Sequence, residues 1–138
     1  MRSPRLIVRE TDGMLAGMLA DAVRKHSWLL REIREPEACL NLLRRVGPSV
    51  LFVRLDRKLL DELAFLGQAA RAAPDCPIVL IFDVKMDSTW QRTQLAGLFR
   101  DLGASAVLFP PVVKNLIEEV AETLLPAVVR RFREACGD

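Results

Sequence analysis

Apolar positions follow two alternating rhythms along the chain, short unbroken runs and longer stripes at helical spacing. Leu6-Ile7-Val8 is a short run, and Met14, Leu15, Met18, Leu19, Ala22 and Val23 follow at the spacing of an amphipathic helix. Leu29 to Ile33 predicts a weak, charged strand, which suits a sheet edge, where charge deters unwanted pairing. Pro36 fits the first turn of a second helix whose buried stripe is expected at Cys39, Leu42, Leu43 and Val46. Gly47-Pro48 stops that helix and leads into the strand Val50-Leu51-Phe52-Val53. A third helix is expected from about Arg57 to Ala73, ending before Pro74. Ile78 to Phe82 is the most hydrophobic run and fits the centre of a sheet. Leu95, Leu98, Phe99 and Leu102 mark a fourth helix with Gly103 as its C-cap. Ala106 to Phe109 reads as a fifth strand, cut off by Pro110-Pro111. The last helical stripe carries Leu116, Ile117, Val120 and Leu124, and Pro126 is expected to kink or restart it.

Strands that alternate with helices in this way predict an α/β domain with a parallel sheet covered on both faces. Right-handed crossovers favour an open, doubly wound sheet, whose functional crevice lies beyond the carboxyl ends of its strands. That rule selects Glu10-Thr11-Asp12, Arg54 to Asp56, Phe82-Asp83 and Phe109-Pro110-Pro111. The third strand is the odd one, because VLFV runs straight into Arg54 and Asp56. Alternation would place both charges on one side of the sheet.

Bulk properties narrow the function classes. A chain of 138 residues with 51% apolar and 28% charged positions is globular and long enough for a real core. Its formal charge of +2 implies neither nucleic acid nor an anionic membrane as a partner. Cys39, Cys76 and Cys136 stand far apart with no zinc spacing, so reduced thiols in a cytoplasmic protein are expected. No apolar run reaches the roughly 18 residues of a membrane span. With no repeat or linker, residues 1–138 read as a single domain with a helical tail at about 124–136.

Other candidate chemistry is sparse. The lone histidine, His26, has no cysteine or second histidine spaced to share a metal, and a contact at a helix C-terminus is expected instead. No glycine-rich phosphate loop or nucleophile elbow occurs, and neither metal nor cofactor is expected. Trp90, in the polar stretch DVKMDSTWQRT, is either an exposed anchor or a lid over Phe82. Leu124, Leu125, Val128, Val129 and Phe132 offer more apolar surface than one small domain needs to cover, while Arg130, Arg131 and Arg133 read as a solvated face.

Four segments, RLIVRETD, EPEACLNLLRRVGPSVLFVR, CPIVLIF and GASAVLFPP, resemble in order the conserved segments of response-regulator receiver domains. The resemblance covers nearly the whole chain and implies a flavodoxin-like fold with strand order 2-1-3-4-5. It also implies where the phosphorylation set should lie. The reactive aspartate falls on Arg54, the metal-holding acidic pair on Glu10 and Thr11, the switch Thr or Ser on Phe82, and the lysine on Pro110. Only Glu10 is conservative, and Pro111 keeps the family's proline. Relative to the family, about six extra residues lie between Phe82 and Gly103, and the last helix runs some ten residues further. The resemblance therefore implies a pseudo-receiver that kept the fold and lost the switch.

Chemistry points the same way. Aspartyl phosphorylation needs a carboxylate nucleophile, a divalent cation on oxygen ligands and a cation for the phosphoryl group. Arg54 cannot attack phosphorus, and its fixed charge opposes a nearby metal. It is expected to pair with Glu10 or Asp12 as an internal substitute for the metal, the alternatives being a solvated guanidinium or one that binds an outside anion. The leading expectation is a non-catalytic interaction module with protein partners, self-associating as a dimer through Trp90, Val107, Phe109, Leu116, Val120, Val128 and Phe132. Two rivals are a phosphoacceptor using Asp56 or Asp83, and a sensor that binds a small ligand or nucleotide in the crevice.

Overall fold

A computed structural model describes residues 3–55, 59–83 and 88–136. The described chain alternates β1 (Arg5–Arg9), α1 (Met14–His26), β2 (Leu29–Glu32), α2 (Pro36–Leu43), β3 (Ser49–Leu55), α3 (Leu59–Ala72), β4 (Ile78–Phe82), α4 (Thr89–Asp101), β5 (Ala106–Leu108) and α5 (Lys114–Cys136). The strands form one sheet in the order β2-β1-β3-β4-β5. Every pairing is parallel, so each connection must cross over a face through a helix.

Alternation along the strands divides the core in two. Leu6, Val8, Val50, Phe52, Val79 and Ile81 point to one face and pack with Leu15 and Leu19 of α1 and Ile117, Ala121 and Leu125 of α5. Ile7, Leu51, Val53, Leu80 and Phe82 point to the other, against Cys39 and Leu43 of α2, Phe65 and Leu66 of α3 and Phe99 of α4. The three central strands are apolar on both faces because both are covered, whereas β2, at the edge, is largely exposed.

The structure departs from the expected stripes where helices end. Val46 is 75% exposed and Leu40 takes its place beside Cys39 and Leu43, because α2 stops at Leu43 and Val46 falls in the following turn. Leu98 of α4 and Leu102, which caps it, face outward, leaving Phe99 as the buried anchor of that helix. Gly103 does close α4, as expected. It adopts φ +119°, and the Gly103 and Ala104 amides donate to the Arg100 and Phe99 carbonyls, both at 3.0 Å.

Helix α5 continues through Pro126 without restarting. Pro126 lies on the solvent side, while Leu125 and Val128 on either side of it are buried. Leu124 and Phe132 pack on the same cluster, so the tail's apolar surplus is largely absorbed by its own domain. His26, at the end of α1, meets Glu122 of α5 at 2.6 Å and stacks on Trp28. No described helix is long and apolar enough to cross a membrane.

Candidate functional site

The carboxyl ends of the strands gather the charged residues, and strand geometry decides which of them meet. Arg54 follows Val50 and Phe52 on the α1/α5 face of the sheet and lies beside Ile81 in the β3/β4 register. Alternation brings Asp83 onto that same face two residues beyond Ile81, within reach of a long side chain. Arg54 Nε donates to Asp83 Oδ1 at 2.5 Å, and its Nη1 donates to Asp12 Oδ2 at 2.5 Å. One guanidinium thus ties the ends of β3 and β4 to the loop between β1 and α1.

Asp12 is also held locally, its Oδ1 accepting from the Met14 amide at 3.1 Å. The hydrogen bonds from Arg54 and Met14 keep its carboxyl below the usual aspartate value, and Asp83 and Asp12 together raise Arg54 further. The Arg54 side chain is 18% exposed, against 51% for Asp12 and 35% for Asp83. The clamp is thus a mostly enclosed cation under two carboxylates that water still reaches.

Glu10, an expected partner of Arg54, is committed elsewhere. It is buried, and its two oxygens accept from the Leu15 amide at 2.7 Å and the Ala16 amide at 3.0 Å. Helix α1 begins after Gly13, which has no side chain to cap it, so Glu10 reaches forward to the first-turn amides instead. Thr11 beside it is exposed.

Phe82 lies on the opposite face from Arg54. It stacks on Phe109 at 4.9 Å between ring centroids and meets Phe99 edge-on at 5.3 Å. That aromatic trio covers the end of β4, so Trp90 is not its lid: Trp90 is 70% exposed at the start of α4. Pro110 is half-buried after β5, and its bond to Pro111 is cis. Asp56 lies outside the described residues.

A second arginine, which periodicity alone did not single out, sits at the end of β1. Arg9 pairs with Glu62 of α3, and its guanidinium carbon lies 4.5 Å from the Phe65 ring centre. The signal for it was present, because Arg9 alternates with Ile7 toward the α2/α3 face. Among the described residues no three side chains of metal-ligating type converge.

Of the residues expected at an interface, Val128 is buried inside the domain. Val107, Phe109, Leu116, Val120 and Phe132 are half-buried. The most exposed large apolar groups on α4 are Trp90 at 70% and Leu98 at 50%, and Leu102 just after it is 37% exposed.

No protein-family profile matches the chain, and no curated protein matches it in sequence. Solved structures are similar in fold. NtrX from Brucella abortus superposes with a TM-score of 0.71 at 20% identity, over 100% of this chain and 30% of that one. The isolated receiver domain of the same protein gives 0.67 at 23% identity, over 88% of this chain and 98% of that one. A response regulator from Burkholderia pseudomallei, bearing a phosphorylated aspartic acid, a calcium ion and citrate, gives 0.65 at 16% identity, over 97% and 73% of the two chains. The chain has the receiver fold and spans about a third of the full-length NtrX chain that it matches.

Proposed function

We propose that this receiver-fold domain is a non-catalytic, phosphorylation-independent module of two-component-type signalling that acts by binding proteins, its own copy included. The observation that carries the reading is the clamp. Where the resemblance places the reactive aspartate stands Arg54, already paired with Asp12 and Asp83. A metal would have to displace a fixed cation from both carboxylates. Glu10, the acid kept from the metal-binding pair, is spent on the amides of α1. Asp83, the described candidate for an alternative phosphoacceptor, already accepts a hydrogen bond from Arg54.

Self-association is assigned to the α4–β5–α5 side, where Trp90 and Leu98 of α4 are exposed and Val107 and Phe109 are half-buried. The test is incubation with acetyl phosphate and Mg²⁺ followed by intact mass. We expect no added phosphoryl group. A stable adduct lost in Asp56→Ala or Asp83→Ala would replace this reading with a relocated phosphoacceptor.

A further inference from the structure

The end of the sheet opposite Arg54 carries a groove that owes its shape to the length of α5. At 23 residues α5 is ~35 Å long, whereas α1 at 13 residues is ~20 Å. The two helices lie side by side, joined by Lys114 to Asp21 and by Glu122 to His26. The last turns of α5 therefore run past the starts of the strands. A cleft of about 420 Å³ opens there between Arg131 and the residues Asp75, Cys76, Gly103 and Ser105. A smaller cleft of about 120 Å³, lined by Arg45, Gly47 and Phe132, shares Ala73, Asp75 and Cys76 with it. The shared residues make the two clefts neighbours, and together they form the groove.

Three charged side chains line it, and the aspartate is common to both clefts while each arginine belongs to one. The charges therefore run Arg45, Asp75, Arg131 along the groove. All three residues are exposed, and none of these side chains has a hydrogen bond or ion pair among the described residues. Arginines near helix ends ordinarily complement the helix dipole. Here they flank a carboxylate that has no partner among the described residues, over an apolar floor that includes Ala73 and Phe132. That is a row of alternating charge with no partner set against it among the described residues.

We propose that this groove docks an extended peptide segment of a partner protein whose same-side residues run acid, base, acid. In an extended peptide alternate side chains share a side, so an acid, base, acid series on that side offers an opposite charge to each of Arg45, Asp75 and Arg131. The intervening side chains point away, and the peptide backbone lies over the apolar floor. This surface is separate from the Arg54 crevice, so its test stands whether or not the domain accepts phosphate.

The probe is a fluorescein-labelled peptide with the core Glu-Val-Lys-Val-Glu, titrated with the full chain and followed by anisotropy. We expect saturable binding that Arg131→Glu, Arg45→Glu and Asp75→Lys each weaken by roughly tenfold, because reversal turns an attraction into a repulsion. Arg100→Glu, an exposed arginine that does not line the groove, serves as the control for general charge and leaves binding unchanged. Exchanging the facing glutamate of the peptide for lysine restores binding to Arg131→Glu. The proposal is overturned by no binding at millimolar protein, or by equal binding to all four folded variants. Displacement of the peptide by an oligothymidylate that depends on the same two arginines would overturn it too, identifying a nucleic-acid surface instead.

Discussion

Arg54 donates through Nε to Asp83, drawing the end of β3 onto the residue that follows β4. Removing the guanidinium leaves Asp83 and Asp12 facing each other without a counter-charge. We expect Arg54→Ala to lower the thermal midpoint and Arg54→Lys to recover only part of the loss, since one ammonium lacks the planar fork that serves two carboxylates. Differential scanning calorimetry of the three proteins checks the order.

The pH dependence of that difference has a definite sign. Asp12 is held below its ordinary 3.8, first by the Arg54 hydrogen bond and then by the Met14 amide. A carboxylate lowered on folding stabilises the fold above its unfolded pKa and loses that contribution as pH falls through the folded value. Arg54 is raised and stays charged throughout. The gap between parent and Arg54→Ala should therefore be flat from neutral pH down to about pH 5 and close only below the 3.8 of a free aspartate. A gap that closed between pH 6 and pH 8 would show that another group controls it.

Replacing the cation by an acid should make the same place a cation site. Arg54→Asp would set three carboxylates together at the carboxyl ends of the strands, destabilising the apo chain by mutual repulsion. Hard divalent cations on oxygen ligands would relieve it. We expect Ca²⁺ or Mg²⁺ to raise the midpoint of Arg54→Asp and to leave the parent unchanged in a thermal-shift titration.

Glu10 gives a stability prediction without a surface charge. Glu10→Ala would leave the buried Leu15 and Ala16 amides without acceptors, at about 1–3 kcal/mol for each orphaned donor. Glu10→Gln keeps one accepting oxygen and should cost clearly less. Urea denaturation separates the two.

Gly103 is tested by one methyl group. A Cβ there would approach the Ala70 Cβ to 2.7 Å, at a φ of +119° that side chains rarely adopt. We expect Gly103→Ala to cost about 1–3 kcal/mol in the same urea titration, far more than an exposed glycine-to-alanine change elsewhere.

Much of the architecture followed from pattern alone. The alternation of elements, the central place of Ile78 to Phe82, the charged edge at Leu29 and the closure of α4 at Gly103 are local statements. Each rests on a run, a stripe or a single glycine whose meaning does not depend on distant residues. Misplaced stripe residues such as Val46 and Leu98 mark where periodicity was extended past, or set on the wrong side of, a helix whose end or orientation the neighbouring elements decide. The place of Trp90 is not local either, since nothing near it in sequence says whether Phe82 needs a cover, and Phe99 and Phe109 supply it.

The sequence by itself determined that this chain is a doubly wound α/β domain and that a guanidinium stands where the resemblance calls for a reactive carboxylate. Only the tertiary structure decided what that guanidinium does. Glu10 and Asp12 both follow β1, and their spacing could not say that one turns to the α1 amides while the other turns to Arg54. Asp83, 29 residues further along the chain, became a partner only through the β3/β4 register. The groove beside Arg131 depended in the same way on where a long helix passes beneath three loops. Strand and helix type are set by neighbours in sequence, whereas charge pairing is set by neighbours in space.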